Sequence, residues 1–198
     1  MAVSSTMLAL GTPMPTFKLP DVRSGILVDS DSLPVDRPVL IVFLCAHCPY
    51  VVHIQPALAQ IAEDFAPRGL TLVGITSNDV LQYPQDAPEL TAQMADSAGL
   101  RFPVLYDESQ AVAKAFTAAC TPDFFLFSPS RQLAYRGQID DSRPGRGADR
   151  PEKGARDGRH LREAIEAVLS GQPAPAEQFP SIGCNIKWKP GNAPAYFG

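Results

Sequence analysis

Cys45 and Cys48 lie three positions apart in Phe43-Leu44-Cys45-Ala46-His47-Cys48-Pro49-Tyr50. A Cys-x-x-Cys pair can exchange a disulfide, supply half of a zinc site, or be two inert buried thiols. For redox work the spacing is favourable, because two intervening residues let the second sulfur attack a mixed disulfide formed on the first. For zinc it is half a site. No second Cys-x-x-Cys and no His-x3-His follows, so a metal would have to recruit Cys120, Cys184 or a histidine through the fold. The pair alone leaves all three readings open. His47, between the cysteines, could add positive charge or a hydrogen bond that favours the thiolate. His53 and His160 read as structural or surface residues.

The elements around the pair must place it. Pro38 to Leu44 is apolar and β-branched on both alternating faces, which predicts a central strand buried on both sides and ending at Cys45. Val51, Ile54, Leu58, Ile61 and Phe65 recur at spacings of three and four, so an amphipathic helix follows and closes near Pro67-Arg68-Gly69. Pro49 suits its first turn, whereas Pro56 should kink it. A helix start offers unpaired amides and the positive end of the dipole, both of which lower a thiol pKa from its free value of ~8.5.

Further along, Phe17–Leu19 and Ile26–Val28 read as a hairpin turning at Gly25, Leu70–Thr76 as a second buried strand, and Glu89–Ala98 as a helix after the polar stretch Ser77–Pro88. Val104-Leu105 reads as a short strand, Gln110–Phe116 as a short helix, and Asp123–Phe127 with Leu133–Tyr135 as an antiparallel pair. Asp141–Arg159 has four glycines, two prolines and five arginines but no large apolar residue, which predicts a mobile surface loop with solvated arginines before a helix over His160–Leu169. From Gly171 the chain is too proline-rich for a helix yet too apolar to hang in water. It should pack back on the domain, with Trp188 as an anchor.

With 17 basic and 21 acidic side chains, the net charge of −4 suits neither a general nucleic-acid binder nor an anionic-membrane binder. No apolar run approaches the ~18 to 20 residues of a membrane span. The first residues carry no Lys or Arg ahead of their short apolar patch, so a cytoplasmic location is the expectation. Four cysteines in 198 residues do not make a disulfide scaffold.

Four separated motifs make the reading specific: Cys-x-His-Cys-Pro-Tyr at 45–50, Thr-Pro-Asp-Phe-Phe-Leu-Phe at 121–127, Asp-Asp-Ser-Arg-Pro at 140–144, and Pro-Ser-Ile-Gly-Cys-Asn-Ile-Lys-Trp-Lys-Pro-Gly-Asn at 180–192. Together they resemble a peroxiredoxin-like branch of the redoxin proteins, within the thioredoxin superfamily. The resemblance implies an α/β thioredoxin-like fold: a mixed central sheet flanked by helices, with an N-terminal hairpin and a wrapping C-terminal tail. It divides the chain into an extension (1–14), the domain (15–170) and the tail (171–198). It also implies a cis-proline at Pro122, with Thr121 and His47 as neighbours of the pair.

Aligned on the peroxiredoxin loop, Cys48 takes the peroxidatic position and Cys45 that of a hydroxyl residue. The family's upstream proline falls on Ile41, and Pro122 stands where its peroxide-orienting arginine belongs. Efficient peroxidase chemistry is not expected without that hydroxyl and guanidinium.

With this resemblance added, the function expected is thiol-disulfide exchange with protein or small-molecule thiols and disulfides, by a redox pair with no metal and no cofactor. By thioredoxin logic Cys45 is the nucleophile with the lower pKa and Cys48 resolves. The alternatives are a weak thiol peroxidase acting through Cys48, and a non-catalytic module binding a partner or metal. The tail should bring Cys184 toward the redox face, where it or Cys120 could take a disulfide from Cys48. The competing reading makes both small buried apolar residues.

Overall fold

Alternation is absent from Val39 to Phe43, where all five side chains are buried, because packed layers cover both faces of this strand. A computed structural model describes residues 2–145 and 152–197. In chain order they form β1 (Ala2–Ser4), β2 (Lys18–Pro20), β3 (Leu27–Asp29), β4 (Val39–Phe43), α1 (Pro49–Phe65), β5 (Thr71–Thr76), α2 (Pro88–Ser97), β6 (Val104–Tyr106), α3 (Ala111–Ala115), β7 (Cys120–Thr121), β8 (Asp123–Phe127), β9 (Leu133–Gly137), α4 (Arg159–Leu169) and β10 (Ile182–Asn185). Among the described residues no helix is long and apolar enough to cross a membrane.

The main sheet runs β6-β5-β4-β8-β9, parallel across β6-β5-β4 and antiparallel across β4-β8-β9. Its pleat sorts the core. Leu40 and Val42 face α1 and α4, the latter burying Leu161, Ala164, Ile165 and Val168 at helical spacing. Val39, Ile41 and Phe43 face α3, the hairpin and the tail, where Phe116 meets Phe43, Phe125 and Phe127 edge-on.

Several expectations shift. The hairpin is displaced one residue to β2–β3 and forms its own two-stranded sheet, joined to the main one through an Asp21–Leu105 bridge. Pro49 does open α1, and the helix continues through Pro56 to Phe65. Arg143 is not simply solvated: it donates to the carbonyls of Asp140 and Ser142 and to Gln138 Oε1. Part of the expected mobile loop, residues 146–151 with Arg146 and Arg150, lies outside the described residues.

The segment read as merely irregular after Gly171 contains a strand. β10 lies between β1 and β7 in a three-stranded antiparallel sheet, so β1 near the start of the chain pairs with a strand of the tail. Trp188 joins the core layer containing Phe116 and meets Tyr196 and Phe197 edge-on.

Candidate active site

β4 delivers Cys45, and its register with β8 decides what Cys45 meets. Phe43 stands opposite Asp123. Two residues further along each strand, Cys45 reaches Thr121, with Sγ 3.3 Å from the hydroxyl. The Thr121-Pro122 peptide bond is cis. From the other side β10 sets Cys184 opposite Thr121. The N-terminus of α1 supplies Cys48 as its N-cap, with Pro49 in the first turn. The Cys48 thiol donates to the Thr121 carbonyl at 3.1 Å. Thr121 thus contacts Cys45 through its hydroxyl and Cys48 through its carbonyl, and is the strand partner of Cys184.

The three thiols have unlike acidities. Cys48 is held down to about 5, chiefly by the Cys45 thiol, against the opposing effect of burial, and further by the Thr121 hydroxyl, by Cys184 and by the Val51 amide of the helix start. Cys45 is pushed well above the ordinary thiol value, because its hydrogen bond to Cys48 favours its protonated form, burial adds to that, and the Asp86 carboxylate lies nearby. The direction of these shifts runs opposite to the order expected from the sequence, in which Cys45 is the more acidic. The helix start belongs to Cys48, three residues further on, whereas Cys45 still sits on the strand side beside a negative charge. Cys184 rises to about 11, through burial first and then its hydrogen bond to Cys48.

Asp86 organises the loop between the cysteines. Its Oδ1 accepts from the amides of Ala46 and His47 at 3.0 and 3.1 Å, and Oδ2 accepts from Asn78 Nδ2 at 2.7 Å and pairs with His47 Nδ1 at 2.6 Å. Sequence reasoning missed it, because a buried acid 39 positions beyond His47 leaves no local signal. His47 consequently turns toward Asp86 and stacks on Tyr83, with ring centroids 6.1 Å apart. One donor atom each from Cys45, His47 and Asp86 lie within 4.8 Å of one another, a spacing that could admit a metal ion. Both Asp86 oxygens already hold two partners, so a metal would have to break up the loop that presents the cysteines.

The remaining candidates separate. Cys120 is fully buried, with its sulfur 3.5 Å from the Pro122 carbonyl and 3.9 Å from that of Ser181, and burial raises its pKa well above the ordinary value. His53 is buried against the Ser142 hydroxyl at 2.9 Å, and His160 contacts Gln138 and Phe179. Gly183, which drew no attention in the sequence, proves decisive for close packing. A Cβ there would fall 2.0 Å from the Thr121 oxygen.

The sequence profile of the AhpC/TSA family matches residues 10–136, more than half of the chain and including both cysteines of the pair. The chain belongs to the AhpC/TSA family. Among solved structures, this AhpC/TSA protein is similar to an uncharacterized conserved protein from Geobacillus kaustophilus, at 46% identity over 96% of this chain and 97% of that one, TM-score 0.88. A hypothetical protein from Sinorhizobium meliloti 1021 is 44% identical over 95% of this chain and 99% of that one, again with a TM-score of 0.88. Both alignments include the tail. A thiol:disulfide interchange protein of the thioredoxin family from Chlorobium tepidum shares the fold at 20% identity over 82% of this chain and 99% of that one, TM-score 0.61. None of the curated proteins matches the chain. The mixed central sheet with flanking helices is accordingly a thioredoxin-like fold.

Proposed function

We propose that this chain is a thiol-disulfide oxidoreductase whose redox couple is Cys45–Cys48. The observation that carries the reading is the geometry of the pair: Cys48 is the N-cap of α1, Cys45 follows β4, and both sulfurs contact Thr121 beside the cis peptide bond to Pro122. Ionised Cys48 is a ready nucleophile near neutral pH, and protonated Cys45 keeps its proton until a disulfide on Cys48 has to be resolved. In the net reaction a substrate disulfide is reduced to two thiols as Cys45 and Cys48 join. The partners are protein or small-molecule thiols and disulfides, and a reducing compartment such as the cytoplasm suits a couple that must be returned to the dithiol.

The test is equilibration of the protein in glutathione buffers, with the Cys45–Cys48 disulfide followed by mass spectrometry. The Cys45–Cys48 disulfide is expected in the parent, titrating as one two-electron couple, and that disulfide is absent from Cys45→Ser and Cys48→Ser. Failure to form that disulfide at any glutathione ratio would overturn the reading. A thiol peroxidase acting through Cys48 is the second reading, favoured by the AhpC/TSA match and by the acidity of that sulfur.

A further inference from the structure

The couple is sealed. Cys45 and Cys48 are 1% and 0% exposed, so no substrate disulfide reaches either sulfur while the structure holds. Cys184 is different: it is only half-buried, stands opposite Thr121, whose carbonyl accepts from Cys48, and packs against the core layer that holds both cysteines of the couple. What covers the couple is the chain's own tail. β10 lies antiparallel on β7, the short strand beside the cysteines, and so occupies the position an incoming peptide strand would need.

The cover is stitched down at both ends. Ser181 donates to the Gly137 carbonyl at 2.7 Å and accepts from the Ser5 amide at 2.9 Å. Beyond β10, the Ile186 amide donates to Ala119, that of Lys187 donates to Asn78 Oδ1, and Gln110 holds both the Lys187 carbonyl and the Lys189 amide. Gly183 lets this strand press directly onto Thr121. Lifting it would strip several buried backbone partners at once. Passing electrons through it leaves them in place.

We infer that Cys184 is the contact thiol of this protein, the sulfur that meets external disulfides and relays electrons between them and the enclosed Cys45–Cys48 couple. The inference rests on the couple proposed above. With a substrate R–S–S–R′, Cys184 passes its proton to the Cys48 thiolate and attacks one sulfur. The S–S bond breaks and R′S⁻ leaves. Cys48 then gives that proton to R′S⁻ and attacks Cys184 Sγ, expelling RS⁻, which takes the proton of Cys45. Cys45 attacks Cys48 Sγ, closing the Cys45–Cys48 disulfide, and Cys184 departs as a thiolate that takes a proton from water. Two electrons have passed to the substrate, both of whose sulfurs are now thiols, and Cys184 ends as it began.

Oxidised glutathione is the probe. Cys184→Ser, a near-isosteric change that keeps a hydrogen-bond donor beside Cys48, should slow oxidation of the couple by about tenfold or more while the Cys45–Cys48 disulfide still forms at equilibrium, since access controls the rate. In Cys45→Ser the relay should stop with a Cys48–Cys184 disulfide, and in Cys48→Ser glutathione should remain on Cys184, both read by peptide mass spectrometry. Parental oxidation rates in Cys184→Ser, or glutathione on Cys48 of Cys45→Ser with Cys184 free, would overturn the contact role and leave the couple standing. A parent that forms Cys48–Cys184 but never Cys45–Cys48 would uphold the contact thiol and sink the couple.

Discussion

Replacing Cys45 by alanine should raise the pKa of Cys48, because the hydrogen bond from Cys45 is the largest influence holding that sulfur at about 5. A hydrogen bond to a charged group contributes about 1.5–3 kcal/mol, and each pH unit corresponds to about 1.4 kcal/mol, so the midpoint should climb by roughly one to two units. Cys45→Ser, which retains a donor, should move it less. The assay is the ultraviolet absorbance of the thiolate in fully reduced protein, which reports a buried sulfur without asking a reagent to reach it. Cys184, at about 11, and Cys120, raised by burial, stay protonated through the acidic and neutral range, so the first step belongs to Cys48. An unmoved step in Cys45→Ala would refute the hydrogen-bond account. Disappearance of the step in Cys45→Ala, with its persistence in Cys48→Ala, would return the acidic thiol to Cys45.

Asp86→Ala leaves Asn78 and the Ala46 and His47 amides without their acceptor, so a stability loss of about 2–4 kcal/mol is expected in urea denaturation; a loss within error would show that water replaces the carboxylate. Asp123, fully buried beside Arg136 at 3.6 Å, is raised to about 7 by burial. Its folded pKa exceeds the unfolded one, so its contribution is full in acid, below the unfolded pKa near 4, and is lost as pH rises through about 7. Asp123→Asn should flatten that part of the pH–stability profile, and an identical slope in the variant would contradict the assignment. Among the described residues no guanidinium hydrogen-bonds Cys45 or Cys48, so stopped-flow oxidation of the reduced protein by hydrogen peroxide should be slow. A rate matching specialised peroxidases would favour the second reading.

The legible parts of this sequence were those governed by neighbours. Val39–Phe43 showed itself through uninterrupted apolar residues, and α1 through the spacing of Val51 to Phe65. The cysteine pair needed only its own spacing to be noticed. Deciding which cysteine is acidic needed the third dimension, since Asp86 arrives from a distant loop and Cys184 from the far end of the chain. β10 escaped because Ile182-Gly183-Cys184-Asn185 is short, sits among prolines and contains a glycine that weakens any strand propensity. That glycine is there for close approach to Thr121, a demand no local pattern expresses.

In the proposed site, thiols on two sides of one sulfur would also decide how the protein withstands chemical injury. A sulfenic acid formed on Cys48 would find Cys45 on one side and Cys184 on the other, and condensation with either expels water and gives a disulfide that ordinary thiols can reverse. The irreversible sulfinic and sulfonic acids require a second oxidant molecule to arrive before that neighbour reacts. With the sulfur wholly enclosed, such a molecule would first have to pass the strand, so the burial that would restrict a substrate would also guard the thiol against permanent loss.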